Sequence, residues 1–393
     1  MNRLAKPISH DDSQSEFLIK PEGESLLMQD VFLICGAAGA TPAAGARYKD
    51  IGGGWSLIRE LRIVDTQGRT LTQVKEANRL AAMYVNLRER PSYALAVENE
   101  LSCVRSSLQA ISTGKFEKLN TDQVAITDST ATTAKVALNL RRLVDLLDRK
   151  MLPLWRLGEV RLIIRWETLA ARIFTDVTGA VTIARPELAY TLLLAPELTG
   201  RFQQEFELGF VEPELSTNAI AAITAGTANY SIPLGFQGAP LQKLLITLTR
   251  TDEVDSFYSR QIYQSMFNAV INGQKLYPQD LLGGAQHCEF DRAFGPLGLP
   301  AGGWYKLDED TLAGQGISDQ FAYRGFDLRV VPTSDFDFAN ATFVDHSGVT
   351  LNFQRTYLAG AGGPNTNNPM TFYVWGFRNR VIKVGASGVK EVI

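Results

Sequence analysis

Histidine and cysteine are scarce, three of each in 393 residues, and their placement excludes most of the chemistry that depends on them. His10, His287 and His346 are scattered, and His287-Cys288 has no second His/Cys pair at ligand spacing, so no zinc site is expected. Cys35, Cys103 and Cys288 stand at unrelated spacings, form no disulfide framework and fit folding in a reducing cytoplasm. A basic excess is also missing: 39 Lys and Arg face 42 Asp and Glu, which argues against a dedicated or sequence-specific nucleic-acid binder. Long hydrophobic runs are absent. The longest, Val31–Ala40, is Gly-rich and far short of the ~20 residues that cross a bilayer. The start, MNRLAKPISHDDSQSE, has no apolar centre and does not read as a secretory signal.

The familiar site motifs are missing too. Gly36, Gly39 and Gly45 follow an apolar run, but the G-x-G-x-x-G spacing and the helix that must follow are absent, so Val31–Gly45 reads as a surface loop between strands. Gly52-Gly53-Gly54 lacks the Lys-Ser/Thr pair of a phosphate-binding loop. Gly385-Ala386-Ser387-Gly388 is one residue short of a hydrolase elbow. Asp335 and Asp337 could put two carboxylates on one strand face, yet no third acidic partner is visible. Asp308-Glu309-Asp310 lacks calcium-loop spacing and reads as a solvated loop. Arg141-Arg142 and Arg149-Lys150 read as the wet face of a helix, and Trp155, Trp166 and Trp375 as strand core. No residue is assigned a catalytic, cofactor-binding or metal-binding role, and no cofactor is expected.

What is present is organised around Gly52–Arg90. Trp55, Leu57, Leu61 and Ile63 share one side of a period-2 run, with Glu60 and Arg62 opposite. Asp65-Thr66-Gln67-Gly68 supplies a turn and Arg69–Thr72 a second strand. Val74, Ala77, Leu80, Ala81, Tyr84 and Val85 then fall at helical spacing. Elsewhere the pattern is mostly short strands: two apolar runs in Phe17–Leu33, then Glu159–Glu167, Thr182–Leu194, Phe202–Val211, Tyr230–Leu234, Leu241–Arg250, Phe321–Val331, Val349–Tyr357 and Thr371–Val384. Leu140, Leu143, Leu146 and Leu147 suit a helix, Thr217–Ala228 a loop, and residues 283–318 a long Gly- and Pro-rich excursion. Asn272-Gly273 is a strong hairpin signal. The polar residues 1–15 read as a mobile arm that orders only against a partner.

Many short strands without βαβ alternation predict antiparallel β-sandwiches, and 393 residues predict two of them. The two halves echo each other: DTQGRTL (Asp65–Leu71) and INGQKLYP (Ile271–Pro278) each set a polar-Gly turn before a cation and an apolar residue. The expected division is an N-terminal arm over 1–16, a first sandwich over 17–199 and a second over 200–393. A large, mildly acidic, strand-rich chain without a site reads as structural rather than enzymatic.

Five blocks in chain order carry a resemblance: the block from Trp55 to Arg90 with its run SLIRELRIVDTQGRTLTQVKEANRLAAMYVNLRE, LPLWRLGEVRLIIRWE (Leu152–Glu167), YSIPLGFQGAPLQKLLITLTR (Tyr230–Arg250), FNAVINGQKLYP (Phe267–Pro278) and the C-terminal YVWGFRNRVIKVGASGVKEVI. Together they resemble the double jelly-roll major capsid proteins of tailless icosahedral viruses, the hexon-like lineage. The resemblance implies two tandem antiparallel eight-stranded jelly-roll sandwiches with short inserted helices and long loops. It further implies a homotrimeric, pseudo-hexagonal capsomer that tiles an icosahedral virion shell and is assembled in the host cytoplasm. The partners it implies are other copies of the chain, neighbouring capsomers, minor capsid and penton proteins, and an internal viral membrane touched by the arm, where Arg3 and Lys6 are the only cations before Pro7. Two other classes stay open: a glycan-binding or glycan-hydrolysing protein on tandem jelly rolls, with a groove around Asp335, Asp337 and Trp375, and a vertex or receptor-binding virion protein.

Overall fold

The computed structural model describes residues 1–48, 52–88, 135–194, 196–236, 241–253, 257, 259, 265–282, 284–294, 324–328, 348–359, 367–385 and 388–393. The chain forms two compact units, Met1–Glu212 with Arg380–Ile393, and Pro213–Asn379. Strands dominate both. The first unit contains β1 (Asn2–Ala5), β2 (Ser9–His10), β3 (Gln14–Ile19), β4 (Ser25–Cys35), β5 (Ala37–Tyr48), β6 (Ile58–Val64), β7 (Thr70–Lys75), helix α1 (Ala77–Arg88), β8 (Val136–Asn139), β9 (Met151–Leu152), β10 (Val160–Trp166), β11 (Phe174–Ile183) and β12 (Glu187–Leu194). Strand β13 (Phe206–Ile220) carries the chain into the second unit, which adds β14 (Thr227–Pro233), β15 (Leu241–Arg250), β16 (Met266–Ile271), β17 (Gln274–Lys275), β18 (Leu281–Leu282), helix α2 (Gly284–Phe294), β19 (Arg324–Asp327) and β20 (Val349–Thr356). Strand β21 (Met370–Gly385) returns it, and β22 (Gly388–Val392) folds back on β21 within the first unit.

The sheet orders are β1-β12-β4-β8 and β2-β3-β10-β6-β7 in the first half of the chain, then β13-β21-β15-β19 and β14-β20-β16-β17 in the second. Setting aside β2, β9 and the β5–β11 ribbon in the first half, and the off-path strands β18 and β22 in the second, one rule generates both halves. The first strand pairs with the last, the last with the third and the third with the sixth; the second pairs with the seventh, the seventh with the fourth and the fourth with the fifth. That is the eight-stranded jelly roll, present twice and antiparallel throughout its registered pairs. The two turns that echo each other in sequence join the fourth to the fifth strand in each copy, β6 to β7 and β16 to β17.

Local chemistry fixes these turns. Asp65 Oδ1 accepts the Gln67 and Arg69 amides at 2.9 Å, and Gly68 takes φ +79°. Asn272 and Gly273 both adopt positive φ, +49° and +80°, the geometry of a two-residue hairpin turn that matches the strand twist. Strand alternation is equally direct. In β10, Val160, Leu162, Ile164 and Trp166 are buried while Arg161 and Arg165 reach water, each 3.3 Å from a glutamate of a flanking strand (Glu16 and Glu60). Leu27 and Leu152 from one sheet meet Ile19, Ile63, Leu71 and Leu162 from the other in an apolar interior. In the second unit Phe267, Phe353 and Phe372 form the centre, with ring centroids 4.6 Å (Phe267–Phe353) and 5.1 Å (Phe353–Phe372) apart.

Several expectations need correction. Val31–Gly45 is not a loop: β5 pairs with β11 in a long ribbon, where Gly39 lets Val177 approach so closely that a Cβ would lie 2.0 Å from its Cγ1. Leu140, Leu143, Leu146 and Leu147 are all buried, but across two 3-10 turns, Leu140–Arg142 (which Leu143 caps) and Asp145–Asp148, rather than on one helix. The apolar spacing served the core, since Leu146 and Leu147 line the sandwich interior. Trp55 and Leu57 lie in a 3-10 turn, Gly53–Leu57, ahead of the strand. The loop after β13 shrinks to 221–226, and residues 284–294 are helical. Residues 1–15, read as an arm ordered only by a partner, pair within the chain: β1 on β12, and β2 on β3.

Phe353 is 1% exposed and touches aromatic rings on three strands. Phe353→Ala is expected to lower the unfolding free energy by about 3–5 kcal/mol, read as a shifted urea midpoint with an unchanged slope.

Candidate functional site

The residues weighed for chemistry do not converge. His10 Nδ1 lies 2.8 Å from Ser15 Oγ at a strand edge. Cys35 is buried, and burial pushes its thiol up and away from reactivity, while Cys288 is exposed on α2. Trp375 and Trp166 are fully buried strand residues, whereas Trp155 is half-buried in the helical turn Leu154–Leu157. Cys103, Asp308, Glu309, Asp310, Asp335, Asp337, His346 and Ser387 lie outside the described residues. Among the described residues no group of three or more His, Cys, Asp or Glu is placed to hold a metal ion, and no helix is long and apolar enough to cross a membrane.

What the structure does concentrate is ion-paired side chains bonded to the backbone of outer strands, where a sheet leaves N–H and C=O groups without a neighbour. In the first unit Glu212, 3% exposed, accepts the Gln73 amide of β7 at 2.7 Å and pairs with Arg380 Nε at 2.9 Å. Asp145 and Arg149, an i,i+4 pair at 3.7 Å, serve β13 together: Asp145 Oδ2 accepts the Val211 amide at 2.8 Å, and Arg149 donates to the Gly209 carbonyl. Arg69, held at 2.7 Å by the buried Asp65, donates to the Val389 and Lys390 carbonyls of β22. One acidic and one basic group thus imitate the donor and acceptor row of a missing strand.

The second unit repeats the device on β19. Leu328 N donates to Gln242 O, so the even residues of β19 face β15 and the Asp327 amide points away; it donates at 3.0 Å to Glu289 Oε1 on α2. The other Glu289 oxygen accepts the Tyr277 hydroxyl, which in turn accepts from Arg292 Nη1 at 3.0 Å. Gln286 donates to the Ser265 and Leu281 carbonyls and accepts from Arg324 Nε at 3.0 Å. Lys243 places its ammonium 4.7 Å over the Phe294 ring. Burial, together with the bonded Glu289 carboxylate, pushes the Tyr277 phenol well above its ordinary range. Glu289 and Asp327 are buried carboxylates, but both Glu289 oxygens are committed to structural bonds rather than to a substrate.

None of these residues stands out by motif. The signal that could have found them is phase: Glu212 falls on the same strand parity as the buried Phe210, and Glu289 sits beside Phe290 on a face that packs against β19. A carboxylate in an apolar register position needs a partner.

Glu212→Ala strands Arg380 and frees the Gln73 amide, so a loss of about 3–5 kcal/mol is expected, measured by denaturant unfolding against wild type. Tyr277 yields a pH prediction. Its phenol is raised in the folded state, so its stabilising contribution is complete below the unfolded value of about 10 and fades as pH rises above it. Tyr277→Phe is therefore expected to flatten the decline in melting temperature between neutral pH and strongly alkaline buffer; an unchanged decline would contradict the assignment.

No protein-family model matches the sequence, and no curated protein matches it. Solved structures do. The PBCV-1 virus capsid structure aligns over 100% of this chain and 96% of its own, at 11% identity and a TM-score of 0.66. The Sputnik virophage structure aligns over 100% and 88%, at 12% identity and 0.61. The mavirus major capsid protein aligns over 100% and 89%, at 10% identity and 0.57. With the same strand rule running twice through its own sheets, the chain has the fold of the double jelly-roll major capsid proteins.

Proposed function

We propose that this chain is a major capsid protein whose role is structural rather than enzymatic. The observation that carries the reading is whole-length likeness: the alignment to the PBCV-1 capsid structure spans all of this chain and 96% of the other. A shared single sandwich would cover half of it. In this reading the two jelly rolls divide near residue 200, β1 is the first strand of the first one, and its outer edge is presented to neighbours. Three copies place six sandwiches around a threefold axis, and the resulting pseudo-hexagonal block tiles an icosahedral shell. Its partners are copies of itself, adjoining capsomers, and the minor and penton proteins that fill the vertices; assembly takes place in the host cytoplasm.

An internal membrane fits the exposed apolar residues of the first segment. Met1 and Ile8 are 53% and 57% exposed, near Arg3 and Lys6. The other exposed large apolar side chains among the described residues, Leu169, Leu194, Leu282, Tyr357 and Ile393, are scattered along the chain.

The test is the mass of the purified chain by light scattering, with negative-stain images of the same peak. Three times the 43.3 kDa chain mass and a hexagonal outline are expected. A monomer, or a trimer that forms no sheet or shell at high concentration, would overturn the tiling role.

A further inference from the structure

The closing of outer strands by charge pairs is selective, and the exceptions define an interface. Besides β7, β13, β19 and β22, the strand orders end on β2 and β17, each two residues long, on β8, whose Val136, Leu138 and Asn139 are buried, and on two exposed strands: β1 in the first unit and β14 in the second. On β14, Tyr357 N donates to Gly226 O and Leu234 N to Val349 O, so the even residues face β20. The amides and carbonyls of Thr227, Asn229 and Ser231 therefore point out of the sheet. All three residues are exposed, and no side chain bonds their backbone among the described residues. On β1, Met1 and Leu192 bond each other reciprocally, so Asn2 and Leu4 turn their backbone groups outward, again exposed and without such a bond.

Outward donors and acceptors in alternation at strand spacing specify their own ligand: an extended backbone. The charges specify which one. No Asp, Glu, Lys or Arg occurs from Leu215 to Gln242, so β14 opposes no charge to whatever lies beside it. β1 carries Arg3, whose guanidinium is held by Glu22 of its own chain, with Lys6 just beyond. Set against β14, β1 meets no charged side chain on the facing strand and covers the exposed Leu4.

We infer that β1 of one copy of this chain pairs with β14 of the next. Two different edges, one in each unit, make a head-to-tail contact, and such a contact closes into a ring when the rotation allows. The inference deepens the capsomer reading and rests on it: the threefold ring is held by main-chain pairing between these two strands.

Proline tests this without disturbing the sheets, because the amides of Leu4 and Ser231 make no bond to β12 or β20 and an edge strand tolerates proline at such positions. Wild type, Leu4→Pro and Ser231→Pro are compared by light scattering, with circular dichroism and melting temperature confirming the fold. Leu4→Lys and Ser231→Lys replace any proline variant that loses its spectrum. Each single variant is expected to run as a monomer. An equimolar mixture of the two is expected to give a dimer, since Leu4→Pro keeps its β14 and Ser231→Pro keeps its β1. If wild type is a trimer and either variant remains one, or if the mixture stays monomeric, the junction is overturned and the capsomer reading stands. If wild type is itself a monomer, both are overturned.

Discussion

A β-sheet cannot end without leaving a row of backbone donors and acceptors exposed, and this constraint shapes the protein more than any single side chain does. A jelly roll has four such ends because its two sheets do not close on each other. Here three of them, β7, β13 and β19, and the added strand β22 are sealed by acid–base pairs borrowed from neighbouring elements. Glu212 with Arg380, Asp145 with Arg149, Asp65 with Arg69, and Glu289 with Arg292 each satisfy strand backbone that would otherwise template association. Burying these carboxylates costs solvation, so each is held by a cation and by directed hydrogen bonds. The same arrangement explains why dense polar clusters occur in a chain without a recognisable site. They complete sheets.

The fold was legible where one physical signal dominated. Strict alternation in Val160–Trp166 and the uninterrupted apolar character of Leu241–Arg250 gave strands with limits close to those observed. Asn272-Gly273 demanded a hairpin and formed one. The faint likeness of DTQGRTL to INGQKLYP proved to be positional, since both turns join equivalent strands of equivalent sheets.

Reading failed where two requirements shared one pattern. The four leucines from Leu140 to Leu147 have helical spacing because a jelly-roll end must be plugged from one side; two 3-10 turns meet that need as well as a helix would. Gly36, Gly39 and Gly45 suggested a loop, but glycine in a ribbon also permits the close approach that Val177 makes to Gly39. The closing pairs were invisible for a different reason. Glu212 and Gln73, or Glu289 and Asp327, are brought together only by tertiary pairing, and no spacing in the sequence records it.

Hydrogen exchange read by mass spectrometry on the purified oligomer and on its dilute, dissociated form tests this account of the strand edges most directly. The amides of Gln73, Val211 and Asp327, which donate to side chains of the same chain, are predicted to be equally protected in both forms. Those of Leu4, Asn229 and Ser231 are predicted to be protected in the oligomer alone. Fast exchange at Asn229 and Ser231 in the intact oligomer, or loss of protection at Gln73, Val211 and Asp327 on dissociation, would contradict it.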